Sequence, residues 1–200
     1  EKIKEQLLNV LWMSKGKCVI FSAHSGSGKT TLVKHLIQYK DLNLQFSVSA
    51  TTRKPRNNEK HGIDYLFLSK KEFLENIKDK NFLEFEEVYN DVFYGTYNPL
   101  VQQKLKNHNI IFDIDVEGAL TLKKIFKSKA LSVFVKPPSL SVLKNRLINR
   151  GNENNKSIDQ RLNKAKKEIS KQDFFDKIII NDDLNEAKKA AFLIVKEFLD

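Results

Sequence analysis

A single cysteine, Cys18, stands in a chain of 200 residues, which excludes an internal disulfide and any zinc site built on cysteines. The four histidines are scattered at positions 24, 35, 61 and 108, so no structural metal is expected. No Ser-His-Asp or Cys-His arrangement is evident, and no internal repeat or low-complexity segment interrupts the chain. No apolar run approaches the length of a bilayer span, and no charged start with an apolar core and small-residue cleavage site opens the sequence. It reads as a cytoplasmic protein without a membrane partner. Arginine is also scarce: of 35 cationic side chains only Arg53, Arg56, Arg146, Arg150 and Arg161 are arginines.

The remaining cations are lysines, and 35 Lys and Arg against 25 Asp and Glu leave a formal charge of +10. That excess points to an anionic partner or substrate, with nucleic acid, a membrane surface and a nucleotide equally compatible. Most lysines, such as Lys164, Lys166, Lys167 and Lys171, lie beside polar residues in helical patterns and read as a solvated face, so nucleic acid is not the expected partner. The planar fork of arginine grips phosphate bidentately, which makes the five arginines site candidates on chemistry alone. A length of 200 residues with 40% hydrophobic content suits one domain with small inserts.

Residues 1–12 have helical periodicity and read either as a native N-terminal helix or as an extension upstream of the lone methionine, Met13. From Lys17 the pattern is a short apolar strand (CVIFSA), a glycine-rich turn (HSGSG) and a helix with Leu32, Val33, Leu36 and Ile37 at helical spacing. Residues 46–96 carry short β-prone pieces (FSVSATT, YLFL, FLEFEEVY) and a helix opened by a capping box, Ser69 to Glu72. They read as an inserted subdomain. A buried strand over Ile110–Ile114, a helix over 116–127, a strand over Leu131–Val135 and a helix after Pro138 follow. That alternation implies an α/β fold with buried parallel strands. Residues 150–157 (RGNENNKS) suggest a lid, with Ser157 and Gln160 capping a helix that runs to about Lys171. Lys177–Ile180 predicts a last strand and residues 184–199 an amphipathic helix.

Ala23-His24-Ser25-Gly26-Ser27-Gly28-Lys29-Thr30 matches the phosphate-binding loop pattern, with alanine in place of its first glycine. Following a strand and opening a helix, its backbone N–H groups can surround phosphates while the helix dipole adds positive potential. Lys29 would bridge the outer phosphates and Thr30 would offer a hydroxyl to magnesium. Asp113 ends an apolar strand, the form expected of an acid that orients hydrated magnesium. Asp115, two residues on, shares its side only if the strand continues, and the repulsion then calls for a nearby cation or donor. Arg53 and Arg56 flank Pro55 and can clamp a dianionic phosphate. Tyr65 and Tyr94 are phenols near glycines, suited to a phosphate edge.

In this order and spacing, SGSGKTTL, SVSATTRKPR, GIDYLFLS, FLEFEEVYNDVFYGT, DIDVEGA, LKNRLINRG and IINDDL resemble the guanylate kinase family over roughly residues 17 to 199. The resemblance implies a P-loop kinase fold with a parallel-sheet core (about 13–46, 97–137 and 169–200), an inserted monophosphate-binding subdomain (about 47–96) and a helical lid (about 138–168). It implies phosphorylation of GMP by ATP with Mg²⁺, in a monomer or homodimer. ATP would meet Ser25, Gly26, Ser27, Gly28, Lys29, Thr30, Thr31, Arg146 and Asn181, with Asn181 near the adenine. The GMP phosphate would meet Arg53, Arg56, Tyr65 and Tyr94, and the guanine Ser49, Glu84 and Thr96, with Asp115 near the nucleoside. Lys29, Arg150 and Arg161 would act on the transferred phosphoryl group, and Thr30 and Asp113 on the metal, Asp113 through water. The sequence departs from the family at Ala23 and at His24, where proline is common. Two other readings stay open here: a noncatalytic module that holds phosphorylated peptides, and a kinase for another nucleotide or a phosphorylated sugar.

Overall fold

A computed structural model describes residues 14–56, 59–89, 91–149 and 155–200. The chain forms two compact units, one built on Gln45–Ile110 and the other on Lys17–Leu44 with Ile111–Asp200.

The second unit supplies most residues of a five-stranded sheet. Its strands are β1 (Cys18–Ser22), β2 (Leu44–Phe46), β7 (Asn109–Ile114), β8 (Ala130–Lys136) and β9 (Lys177–Ile180), in the order β2-β7-β1-β8-β9. The β1–β8 and β8–β9 pairs are parallel, with Ile20 opposite Ser132 and Val135 opposite Ile179. A central strand in such a sheet is covered on both faces, and every residue of β1 is buried. Helices α1 (Lys29–Ile37), α4 (Val116–Phe126), α5 (Leu140–Asn149), α6 (Asn155–Ile169) and α7 (Leu184–Leu199) complete this unit. The strand expected at Lys177–Ile180 forms but is not buried throughout. It ends the sheet, so Ile179 is covered while Ile178 and Ile180 are 39% and 56% exposed.

The unit on Gln45–Ile110 holds a four-stranded mixed sheet, β3 (Ser49–Thr51), β4 (Tyr65–Phe67), β5 (Phe82–Tyr89) and β6 (Val92–Tyr97), in the order β4-β3-β6-β5. Helices α2 (Lys70–Lys78) and α3 (Asn98–Leu105) accompany it. The β-prone run FSVSATT splits between β2 and β3, which belong to different sheets. The Ser69–Glu72 capping box is present with both reciprocal bonds, so α2 starts where the sequence predicts. Phe73 from α2 stacks on Phe82 with ring centroids 4.4 Å apart and lies 5.5 Å from Phe93. That cluster is an apolar anchor of the unit on one face of the sheet.

Two helix ends differ from expectation. Helix α6 begins at Asn155, ahead of the predicted cap at Ser157. A run of Asn and Ser supplies several capping residues, and composition does not select among them. It ends at Ile169, where Lys171 N–H turns back to the Glu168 carbonyl at 3.1 Å in a tighter turn. Among the described residues, no helix is long and apolar enough to cross a membrane.

Candidate active site

The loop between β1 and α1 is shaped by two glycines in the left-handed region, Gly26 at φ +93° and Gly28 at φ +88°. A Cβ on Gly28 would stand 2.2 Å from Asn181 Nδ2, so both backbone angle and close approach require glycine there. Ala23, in place of the pattern's first glycine, is not among the residues with positive φ, and alanine is therefore tolerated without strain. His24 is buried and its Nδ1 lies 2.8 Å from Ser27 Oγ, which also donates to the His24 carbonyl at 3.0 Å. Where a proline would stiffen the loop through its ring, this chain cross-links it by hydrogen bonds. Gly28 caps α1 with no side-chain acceptor, so the first helical N–H groups remain directed at an anion site.

Lys29 and Thr30 converge on the end of β7. The Lys29 ammonium lies 2.5 Å from Asp113 Oδ1 and donates to the Ile114 carbonyl at 2.7 Å, while the Thr30 hydroxyl donates to Asp113 Oδ2 at 2.7 Å. An ammonium has three donors and these acceptors use two. The hydroxyl and carboxylate oxygens side by side are hard donors that suit magnesium, which keeps several waters and takes few protein ligands. Among the described residues no group of three or more His, Cys, Asp and Glu could hold a metal by itself.

Arg161, on α6, donates from Nη1 to Ser25 Oγ at 2.8 Å. Arg146, on α5, donates to the Asn181 carbonyl at 2.9 Å, and the Asn181 amide donates to the Ser27 carbonyl at 2.7 Å. Asn181 thus braces the glycine loop with its side chain and Arg146 with its backbone. Asp115 lies beyond the end of β7, in extended backbone, where its carboxylate caps α4 by accepting from Gly118 N–H at 2.8 Å. That is the donor its position beside Asp113 calls for. Ser25, Gly26 and Ser27 lie in the loop, and Thr31 in the first turn of α1, its N–H bonded to the Gly28 carbonyl. Arg150 lies outside the described residues.

In the other unit, strand register gathers the predicted monophosphate residues on one face. Ser49 is opposite Thr96 on one side and Tyr65 on the other; Tyr94 is opposite Thr51 and Glu86; Glu84 is opposite Thr96. The Thr96 hydroxyl, fully buried, donates to Glu84 Oε1 at 2.5 Å. Phe85, on the opposite face as alternation predicts, is 48% exposed on β5, the last strand of its sheet. Arg53 follows β3. Its Nε donates to Tyr94 Oη at 3.1 Å, and its guanidinium lies 5.3 Å from the Tyr65 ring centroid. Arg56 is exposed three residues on.

Two carboxylates in these surroundings escape sequence reasoning. Glu59 meets both outer nitrogens of Arg53, at 2.9 and 3.0 Å. The hydrogen bonds from Arg53 hold its carboxyl below the usual range. Its signal in the sequence is only a carboxylate three residues after the Arg53–Arg56 pair. Glu168, on α6, is mostly buried, and burial pushes its carboxyl up to about 7. Lys164, at 3.8 Å, and Lys29 oppose that rise, while Asp115 and Glu117 add to it. Its spacing of seven from Arg161, one helical face, could have marked it.

The family model described as guanylate kinase matches residues 15–199. A guanylate kinase of Bacteroides fragilis is 50% identical over 186 residues, covering 92% of this chain and 91% of the relative. One of Porphyromonas gingivalis is 46% identical over 169 residues, covering 84% and 90%. Among solved structures, the crystal structure of guanylate kinase from Anaplasma phagocytophilum is similar with a TM-score of 0.74 at 29% identity, covering 92% of this chain and 86% of that one.

Proposed function

Because the chain belongs to the guanylate kinase family, we propose that the polar constellation around Lys29 binds the donor ATP and the one around Arg53 and Glu84 binds the acceptor GMP. The family reaction is ATP-dependent phosphorylation of GMP to GDP, and the chain is an enzyme of that class. The observation that carries the assignment is the junction of Lys29, Thr30 and Asp113 at the start of α1. A module that merely held phosphorylated peptides has no need of it.

Residues 25–31, Arg146 and Asn181 serve ATP. Loop N–H groups hold its phosphates, and Arg146 and Asn181 keep the loop in shape. Ser49, Glu84 and Thr96 read guanine; Arg53, Arg56, Tyr65 and Tyr94 hold the monophosphate, and Asp115 stands by the nucleoside. In the transfer, a GMP phosphate oxygen attacks the γ-phosphorus of ATP while the bond to the bridging oxygen breaks and ADP departs. The attacking oxygen is already ionised, so no general base is required, and catalysis rests on positioning and cationic stabilisation. Lys29 and the α6 arginine Arg161, with Arg150, neutralise charge on the transferred group. Thr30 and Asp113 would hold Mg²⁺, Asp113 through water, and the ion when bound offsets negative charge on the phosphate oxygens. The GMP subdomain spans about 47–96, the lid about 138–168, and the core about 13–46, 97–137 and 169–200. On this reading the enzyme works as a monomer or homodimer in the cytoplasm.

The test is turnover with ATP and, in turn, GMP, AMP, CMP, UMP and dTMP. Turnover confined to GMP and its close analogues is expected. Equal or better use of another monophosphate would overturn the guanine assignments.

A further inference from the structure

Arginine has five N–H donors, and in Arg53 four of them have acceptors. Nε donates to Tyr94 Oη at 3.1 Å, Nη1 to the Lys54 carbonyl at 2.7 Å and to Glu59 Oε2 at 2.9 Å, and Nη2 to Glu59 Oε1 at 3.0 Å. Only one Nη2–H lacks an acceptor among the described residues. The two-pronged fork that makes arginine suited to phosphate is therefore directed at a carboxylate of this chain. Glu59 does more than neutralise it. Its Oε2 also accepts the Arg56 backbone N–H at 2.7 Å, and Glu59 N–H returns a bond to the Arg56 carbonyl at 3.1 Å. The turn that carries both arginines is closed on this one side chain, while Lys54, Pro55 and Arg56 are exposed.

We infer that Glu59 is a positioning residue for the acceptor monophosphate: it locks the Arg53 guanidinium and ties down the Arg56 backbone, so that the phosphate meets a preset surface and not the Arg53 fork. The inference rests on the assignment of Arg53 and Arg56 to that phosphate. Under it, Arg53 supplies one Nη2–H directly. It supplies the rest through Tyr94, whose oxygen accepts from Nε–H and whose own O–H is thereby a stronger donor. Arg56, with its side chain in solvent and its backbone held, keeps its fork for the dianion. The rings of Tyr65 and Phe67, 5.3 and 5.8 Å from the Arg53 guanidinium carbon, confine it from the side.

Charge alone would give Glu59 a different role. A carboxylate that only fills the fork would be displaced by the phosphate, and its removal would then strengthen GMP binding. The two roles differ in sign. Steady-state kinetics of Glu59→Gln and Glu59→Asp, with Arg53→Ala beside them, separate them. Gln presents an N–H₂ to donors and cannot close both contacts. The Michaelis constant for GMP should rise about tenfold, the constant for ATP should stay within about twofold, and turnover at saturating GMP should fall less than the GMP constant rises. Asp keeps the charge on a shorter stem and should recover part of the loss. If Glu59→Gln does not yield soluble protein, the direction of the change in Glu59→Asp decides. A GMP constant at or below wild type in the Glu59 variants, with Arg53→Ala raising it, overturns positioning by Glu59. An unchanged GMP constant in Arg53→Ala overturns the phosphate assignment itself, and the inference with it.

Discussion

The glycine loop before α1 and the arginine turn after β3 are both anion sites, yet they are made of opposite materials. The first is backbone: Gly26 and Gly28 take φ values that other residues avoid, and the uncapped N-terminus of α1 supplies the donors. The second is side chain: Arg53, Tyr94 and Glu59 form a hydrogen-bonded knot beside the two inner strands β3 and β6. Each site already contains a carboxylate against its principal cation, Asp113 against Lys29 and Glu59 against Arg53. The difference is what remains for a ligand. Lys29 keeps an ammonium donor beside a row of amides, so its carboxylate orients the charge without cancelling the site. Arg53 has its fork occupied, so the phosphate depends on neighbours that Arg53 arranges.

The strongest way to break this comparison is Lys29→Met. It removes the fixed cation while Gly26, Gly28 and the amides of α1 persist, and turnover should fall on the order of a thousandfold or more with little change in melting temperature. A folded variant with unchanged turnover would show that backbone donors suffice and that the Lys29–Asp113 contact is only structural. Loss on the acceptor side should be smaller, because there recognition is spread over several side chains.

Glu84→Gln probes that acceptor side. Guanine offers two adjacent donors, N1–H and the 2-amino group, which one carboxylate can accept together, while adenine offers an acceptor at N1 and no 2-amino group. Glu84 Oε1 already takes the Thr96 hydroxyl at 2.5 Å. A carboxylate oxygen can accept a second donor, so the Thr96 bond orients Glu84 without consuming it. Gln keeps one acceptor and swaps the other for a donor. The specificity constant for GMP should fall by about 2 to 4 kcal/mol, and that for AMP far less. An unchanged GMP/AMP ratio would mean that guanine is read elsewhere.

The same contrast explains what the sequence made legible. Gly28, Lys29 and Thr30 are visible because a backbone angle and a helix start demand specific residue types at fixed spacing, and Asp113 because an apolar strand must end in something. Strand alternation placed Glu84 opposite Phe85, and the capping box placed α2. Glu59 was not legible: a carboxylate near two arginines is common, and only the turn's geometry shows that it takes both outer nitrogens of one and the backbone of the other. The family resemblance puts Asp115 near the nucleoside, whereas its hydrogen bond to Gly118 depends on where β7 stops, which periodicity does not specify to the residue. The exposure of β9 likewise follows from its place at the end of the sheet, a long-range property.

Glu168 sharpens the comparison from the donor side with the smallest effect. Glu59 has a guanidinium fork against it and is held below the usual carboxylate range. Glu168 is mostly buried with only Lys164, at 3.8 Å, as an ion pair among the described residues, and is pushed up to about 7. Seven residues before it on α6, Arg161 reaches Ser25, and Ala165 between them is buried; this is the helix face that turns inward. A carboxyl whose pKa is higher in the folded chain than its ordinary 4.5 binds more protons folded than unfolded between those two values. Stability therefore falls as pH rises from about 4.5 to 7, and the whole cost is present above 7. Glu168→Gln carries no such charge. Relative to wild type it should gain stability across that window, by on the order of 1 kcal/mol once solvent screening is allowed for, and the difference should then stay level. Urea unfolding of both proteins at pH 4.5, 6 and 8 measures it. A difference independent of pH would place the ionised carboxylate in a compensated environment like that of Glu59, and the two sites would then treat their second carboxylates alike.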